Sequence, residues 1–260
     1  MSDKQFKWPE KERLVYLRPP KEEYHGSLPS FYPPDLFPEL NALKENWKAI
    51  RDEIIAYEEK RGAISGMGSY SPAAVSGDWS TINLMSYMIL FHKNRKKFPV
   101  LCSIADKIPT CTTVTISVLS PHTQIKPHFG DTNGVIRAHL GLIVPDSYPT
   151  IGMKVGNEDT GWKDGELLLF TIVKQHSVWS NSSKRRYVLI IDFVPKTLEK
   201  RQKEICIKTL GSQTYIFLYK RISFLKFQPD FIANFLCFVF SIFWMFALPI
   251  QRKIKFGSVI

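Results

Sequence analysis

Six histidines are spread along the 260-residue chain, and three of them, His128, His139 and His176, fall where chemistry is most easily assembled. His128 lies in the turn-rich stretch PHFGDTN (127–133), His139 alternates with Arg137 in RAHLGL, and His176 follows the apolar run ELLLFTIV (166–173). His128 and His176 are about fifty residues apart, each beside a strand end. Two such imidazoles can converge on one metal at the mouth of a barrel, and imidazole nitrogen suits Fe(II). A lone strand histidine is more often a satisfied structural residue, so spacing alone leaves both readings open. Arg186 adds a second element. It opens the otherwise apolar strand RYVLIIDF, which would point its always-charged fork into a barrel, where a dicarboxylate would satisfy it. Its neighbours Lys184 and Arg185 read as a solvated basic run.

These side chains need a frame, and from Thr112 onward the apolar period is two. In TTVTISVL, Val114, Ile116 and Val118 face one way and Thr113, Thr115 and Ser117 the other. In GVIRAHLGLIV, Ile136, Ala138, Leu140 and Leu142 oppose Arg137, His139 and Gly141. ELLLFTIV and RYVLIIDFV supply two more strands, separated by turn-rich text such as PDSYP, GNEDTG and SNSSK. Upstream, Leu40, Leu43, Trp47, Ile50, Ile54 and Tyr57 recur at steps of three and four, one face of a packing helix. Residues 61–78 are small and polar and read as a loop. Residues 1–38 hold too many prolines for a helix or a central strand and read as an extended Pro- and aromatic-rich arm. The pattern indicates a mainly β fold, an antiparallel sandwich or jelly roll with helices packed outside.

The stretch SVLSPHTQIKPHFGDTNGVIRAHLGLIVP (117–145), followed by WKDGELLLF (162–170) and HSVWSNSSKRRYVLIIDF (176–193), closely resembles the aspartyl/asparaginyl beta-hydroxylase domain. The elements PH.G.TN, R.HLGL, W..G, H.VW and the terminal Arg strand stand in one order over roughly residues 75–195. The resemblance implies a double-stranded β-helix (jelly-roll, cupin-like) oxygenase occupying 39–198. It implies Fe(II) on His128 and His176, and the distal carboxylate of 2-oxoglutarate on Arg186 with help from Ser117. Arg137 and His139 would engage the other end of the cosubstrate, and Trp79 in GDWSTI would line the same pocket. The function implied is hydroxylation of an unactivated carbon with dioxygen, on a peptidyl, amino-acid-derived or lipid substrate. No Ser/His/Asp set or acid–base pair is needed, and none is visible. One departure stands out. Most iron oxygenases of this fold carry a carboxylate two residues after the first His; here that position is Gly130, a departure shared with the family's animal members. Asp131 follows, but on an extended chain a shift of one residue turns its side chain to the opposite face. An aspartate placed at Gly130 is expected to add a competing ligand. Two competing functions follow from the same residues. A jelly-roll binding module that keeps the pocket but not turnover is motivated by Gly130. A cupin-type isomerase or hydrolase would leave Arg186 and R.HLGL without a role.

The formal net charge is +11, and residues 196–260 alone carry 11 Lys and Arg against three acids. The basicity therefore belongs to the tail, and its neighbours favour an anionic membrane surface over nucleic acid. FIANFLCFVFSIFWMFALPI (231–250) is free of charge and long enough to span a bilayer or to insert in it. Lys220, Arg221 and Lys226 precede it and Arg252, Lys253 and Lys255 follow, so charge counting leaves orientation open. A buried terminal helix is the competing reading. We expect residues 199–230 to form a basic amphipathic connector and 231–250 a membrane-inserting helix, with the catalytic domain on the cytoplasmic side. The N-terminus shows no apolar stretch of a secretory leader, and Cys102, Cys111, Cys206 and Cys237 have no framework spacing and read as reduced thiols.

Overall fold

Alternation of apolar and polar residues decides which face of each strand meets which layer. The computed structural model describes residues 6–19, 23–64, 74–76 and 79–254. Its strands are β1 (Phe31–Tyr32), β2 (Ala74–Ser76), β3 (Trp79–Ser86), β4 (Ile89–Leu90), β5 (Cys111–Leu119) and β6 (Thr123–His128). They continue with β7 (Ile136–Ile143), β8 (Ile151–Val155), β9 (Glu158–Thr160), β10 (Leu167–Phe170), β11 (His176–Ser180) and β12 (Arg186–Phe193). They pair into a seven-stranded sheet, β1-β10-β7-β12-β5-β3-β4, facing a five-stranded sheet, β2-β6-β11-β8-β9. This is a double-stranded β-helix with flanking helices. Much of the 61–78 stretch expected as a loop lies outside the described residues, and 74–76 within it form the edge strand β2.

Antiparallel register puts directly opposed residues on one face. Arg186 faces Leu119, Val188 faces Ser117, Ile190 faces Thr115 and His139, and Asp192 faces Thr113 and Arg137. This partly polar face is the inner one, since Leu119, Val188 and Ile190 pack with Ile151, Met153, Val155 and Val178 of the smaller sheet. The wholly apolar face, with Val114, Ile116, Val118, Ala138, Leu140 and Leu189, turns outward onto the helices. There α1 (Asn41–Glu45), α2 (Trp47–Arg61) and α4 (Pro99–Ala105), with α3 (His92–Arg95) before α4, supply Leu43, Ile50, Ile54 and Leu101. Each such side chain, buried fully, contributes about 1.5–3 kcal/mol. The helix expected over Leu40–Tyr57 is interrupted at Asn46, whose side-chain amide bonds back to the carbonyl of Ala42 at 2.8 Å.

A close backbone approach locks β7 against the turn before β10. Gly141 donates its N–H to Glu166 O and accepts from Gly165 N–H, and a Cβ added to it would overlap the Lys163 carbonyl. Backbone cannot yield as a flexible side chain can. Gly141→Ala is therefore expected to destabilise the fold by at least about 1–3 kcal/mol, read as a lower urea midpoint.

After β12 the chain forms a helical hairpin, α5 (Gln202–Arg221) and α6 (Asp230–Lys253). The helices approach closely at Gly211, where an added Cβ would lie 2.7 Å from Cys237 O and would overlap Ser241 Oγ. Trp244 Nε1 donates to Thr214 Oγ1 at 2.9 Å. Both ends of α6 are tied to the rest of the fold. Arg18 donates to Asn234 Oδ1 at 2.8 Å, the Gln251 amide exchanges two hydrogen bonds with the Leu90 backbone, and Arg252 donates to Met88 O. All four cysteines are free thiols.

Candidate functional site

The two histidines singled out by sequence occupy facing ends of adjacent strands. His128 ends β6, His176 begins β11, and the two are register partners. Their ring centroids lie 4.1 Å apart. Each ring is fixed in the same manner: Nδ1 of His128 meets Lys126 O at 2.8 Å and Nδ1 of His176 meets Lys174 O at 2.9 Å. A carbonyl only accepts, so both rings carry their proton on Nδ1 and leave the Nε2 lone pair free. Burial pushes both pKa values below the ordinary histidine range. The backbone carbonyl acts against this at each ring, and at His176 the neighbouring His128 lowers the value further. Two neutral imidazoles with free Nε2 atoms are a donor set for a divalent transition metal.

No cluster of three or more His, Cys, Asp or Glu suited to a metal exists among the described residues. The geometry around Gly130 explains the missing carboxylate. Gly130 donates its N–H to Ile172 O at 2.8 Å, and an added Cβ would lie 2.8 Å from that same oxygen and from Ile172 Cγ1. A side chain there meets the Ile172 backbone, so an aspartate would enter only with local rearrangement of that segment. Asp131 is engaged elsewhere: its Oδ2 accepts from Tyr87 OH and from Gln213 Nε2 of α5, both at 3.0 Å. Burial raises its pKa in spite of those two bonds. We expect Gly130→Asp to cost about 1–3 kcal/mol of stability, while Asp131→Asn keeps both hydrogen-bond partners and with them the fold. Thermal denaturation checks both, and an unchanged melting temperature in Gly130→Asp would contradict the packing argument. The neighbouring Thr132 and Asn133 prove to be clasps for the N-terminal arm. Thr132 Oγ1 donates to Val15 O, and Asn133 takes the Val15 N–H while donating to Glu12 and to Arg13 O.

The larger sheet contributes the opposite wall. Arg186 is 1% exposed, and its Nε and one Nη are buried without a partner. Burial pulls its pKa down to about 9, with no acid offsetting the cost, so the group is still charged at neutral pH. Its guanidinium lies 4.5 Å from the ring centre of Trp162. Trp162 Nε1, a donor only, bonds to His139 Nδ1 at 3.3 Å. The proton of His139 must then sit on Nε2, which is buried and also lacks a partner. Ser117 Oγ accepts from Trp79 Nε1 at 3.0 Å, leaving its hydroxyl hydrogen free to donate elsewhere. Phe170 joins the two walls, edge-on to His139 at 5.0 Å and to His176 at 5.5 Å. Arg186, Trp162, His139, Phe170, His176 and His128 thus form one line of touching groups.

Arg137 is placed differently from the others. Its Nε and one Nη are held by both oxygens of Asp192, at 2.6 and 2.8 Å. Burial works against its charge, but Asp192 more than offsets this and raises the pKa. Of its five N–H hydrogens, the three not given to Asp192, all on the two Nη atoms, remain for a ligand. Sequence reasoning assigned no role to Asp192 or Trp162. The first had a visible signal, an acid two alternations beyond Val188 on the Arg186 face of an apolar strand; the second lay in the motif W..G without a stated partner.

The fold is a double-stranded β-helix, and within it a wall of unpaired donors is joined through Phe170 to two imidazoles with free Nε2 atoms. Residues 44–195 match the aspartyl/asparaginyl beta-hydroxylase family, and the chain belongs to that family. An ornithine lipid ester-linked acyl 2-hydroxylase of Rhizobium tropici is 31% identical over 64% of this chain and 60% of that protein. The aspartyl/asparaginyl beta-hydroxylase of Homo sapiens is 31% identical over 63% of this chain and 22% of that protein. The chain thus spans less than two thirds of the length of either relative. Among solved structures, a Pseudomonas putida prolyl-4-hydroxylase aligns with 58% of this chain and 87% of its own, at 12% identity and a TM-score of 0.39.

Proposed function

We propose that the chain is an Fe(II)- and 2-oxoglutarate-dependent dioxygenase that hydroxylates an unactivated carbon. The observation that carries this reading is the set of buried donors without acceptors, Arg186 Nε and Nη and His139 Nε2, on the same inner face as the Ser117 hydroxyl. A buried charge left unpaired is costly, so a site that keeps one is built for a ligand of opposite sign. In this reading His128 and His176 hold the metal through Nε2, and Arg186 takes the distal carboxylate of 2-oxoglutarate with Ser117. His139 donates to the cosubstrate from Nε2, Arg137 contributes an Nη hydrogen that Asp192 leaves free, and Trp79 fixes Ser117 while walling the pocket. Bound Fe(II) and 2-oxoglutarate supply the oxidising chemistry when dioxygen is present. The chain's own residues orient the cosubstrate, keep both imidazoles neutral and exclude water.

Two substrate classes are carried by the relatives' names, a lipid acyl chain and an aspartyl or asparaginyl side chain; a small amino-acid-derived molecule is the third. A lipid is favoured by the basic, apolar C-terminal hairpin, through which we propose that the enzyme attaches to a membrane with its site on the cytosolic side. The test is 2-oxoglutarate decarboxylation by the full chain with added Fe(II), which can run uncoupled before the substrate is known. Iron-dependent release of carbon dioxide supports the enzyme. Tight binding of both groups with no turnover would instead favour a binding module.

A further inference from the structure

Helix α6 presents two faces of opposite character. Toward the protein run Ala233, Cys237, Ser241, Trp244, Leu248 and Gln251, at steps of three and four, with the polar groups of Asn234, Ser241 and Gln251 each engaged by a hydrogen bond. Away from it run Phe231, Phe235, Phe238, Ile242, Phe246 and Ile250, each between 40% and 70% exposed. The helix is long and apolar enough to cross a bilayer, with a mean hydropathy of 2.2. Crossing, however, would place one end of α6 on the far side of the membrane. That requires breaking either the Arg18 contact at its start or the paired Gln251–Leu90 bonds and the Arg252–Met88 bond at its end. It would also strip Trp244 from Thr214 and open the close contact at Gly211.

We infer that α6 lies flat in one leaflet of an anionic bilayer, its exposed apolar face in the acyl region and both its ends on the same side of the membrane. This rests on the membrane attachment proposed above and fixes its mode. The charges around the face fit an anionic surface: Lys220, Arg221 and Lys226 are exposed before the helix, and Arg252 and Lys253 at its end. Phe224 and Phe227, 68% and 83% exposed between the two helices, extend the apolar surface beyond the start of α6. A second copy of the chain fits less well. An antiparallel two-fold pairing of α6 would set one cationic end against the other.

The test uses the full chain with a cysteine appended after Ile260, against the unextended chain as baseline for the four native thiols. Sealed vesicles of phosphatidylcholine with phosphatidylglycerol are compared with phosphatidylcholine alone. We expect sedimentation with the anionic vesicles. Phe235→Glu with Phe246→Glu, at exposed positions that leave the packed face intact, should lower the partition at least about tenfold. A membrane-impermeant maleimide should label the appended thiol equally before and after detergent. Labelling only after detergent would mean that α6 crosses, overturning the flat mode while leaving membrane attachment standing. A vesicle-free dimer split by the double glutamate variant would make a second copy the occupant of this face. Neither sedimentation nor a dimer would overturn attachment and mode together, without touching the decarboxylation result.

Discussion

Arg186→Met is expected to be more stable than the parent protein in the absence of 2-oxoglutarate, and to gain nothing from its addition. The buried guanidinium has a tryptophan face beside it but no acid, and two of its nitrogens lack any partner. Replacing a buried, poorly paired charge by an apolar side chain of similar volume typically stabilises by about 1–4 kcal/mol. Thermal melts of the two proteins with and without cosubstrate read both effects. In Arg186→Lys the charge remains but the planar fork is lost, and a half-paired buried carboxylate costs about 2–5 kcal/mol, at least roughly a 30-fold loss in affinity. Unchanged cosubstrate affinity in the lysine variant would remove Arg186 from the site.

The second large effect concerns the metal. With only two protein ligands proposed, removing either leaves a single imidazole, and no acid stands by to take its place among the described residues. His128→Ala and His176→Ala should each weaken Fe(II) binding by at least about 100-fold, since even loss of an outer partner of a ligand costs 10- to 100-fold. Anaerobic titration with Fe(II), or with Co(II) as a spectroscopic stand-in, measures this directly. Comparable retention of metal by either variant would sink the two-histidine assignment.

Parts of this arrangement are legible in the sequence because a single period governs them. β5 and β7 alternate, and the faces of Val114, Ile116 and Val118 and of Arg137 and His139 follow from counting, while β12 shows itself as an apolar run. The direction of those faces does not follow. The polar side turns inward because helices cover the apolar side, whereas a sheet with one wet face would do the reverse. β6 hides behind Pro127 and a single buried aliphatic residue, Ile125, so its period is masked and the sequence there reads as a turn. The contacts that fix chemistry are longer in range still. Trp162 with His139, and Arg137 with Asp192, join residues 23 and 55 positions apart through sheet geometry that no local pattern reports. On the hairpin, hydrophobicity announces α6 but conceals its two faces, because most residues on both sides of the helix are apolar.

The carbonyls of Lys126 and Lys174 that steady the two imidazoles carry a consequence for how the site tolerates change. Each clamp is made by main chain, so its chemistry is indifferent to the side chain that happens to project from that residue. Drift at positions 126 and 174 leaves ring orientation and tautomer intact, where a clamp built from a glutamate would forbid it. The heritable information that aims the ligands resides in the spacing of two residues between each carbonyl and its histidine. An insertion or deletion within 126–128 or 174–176 is therefore more damaging to the centre than any substitution of the lysines, and a record of accepted changes would show lengths frozen there while identities wander.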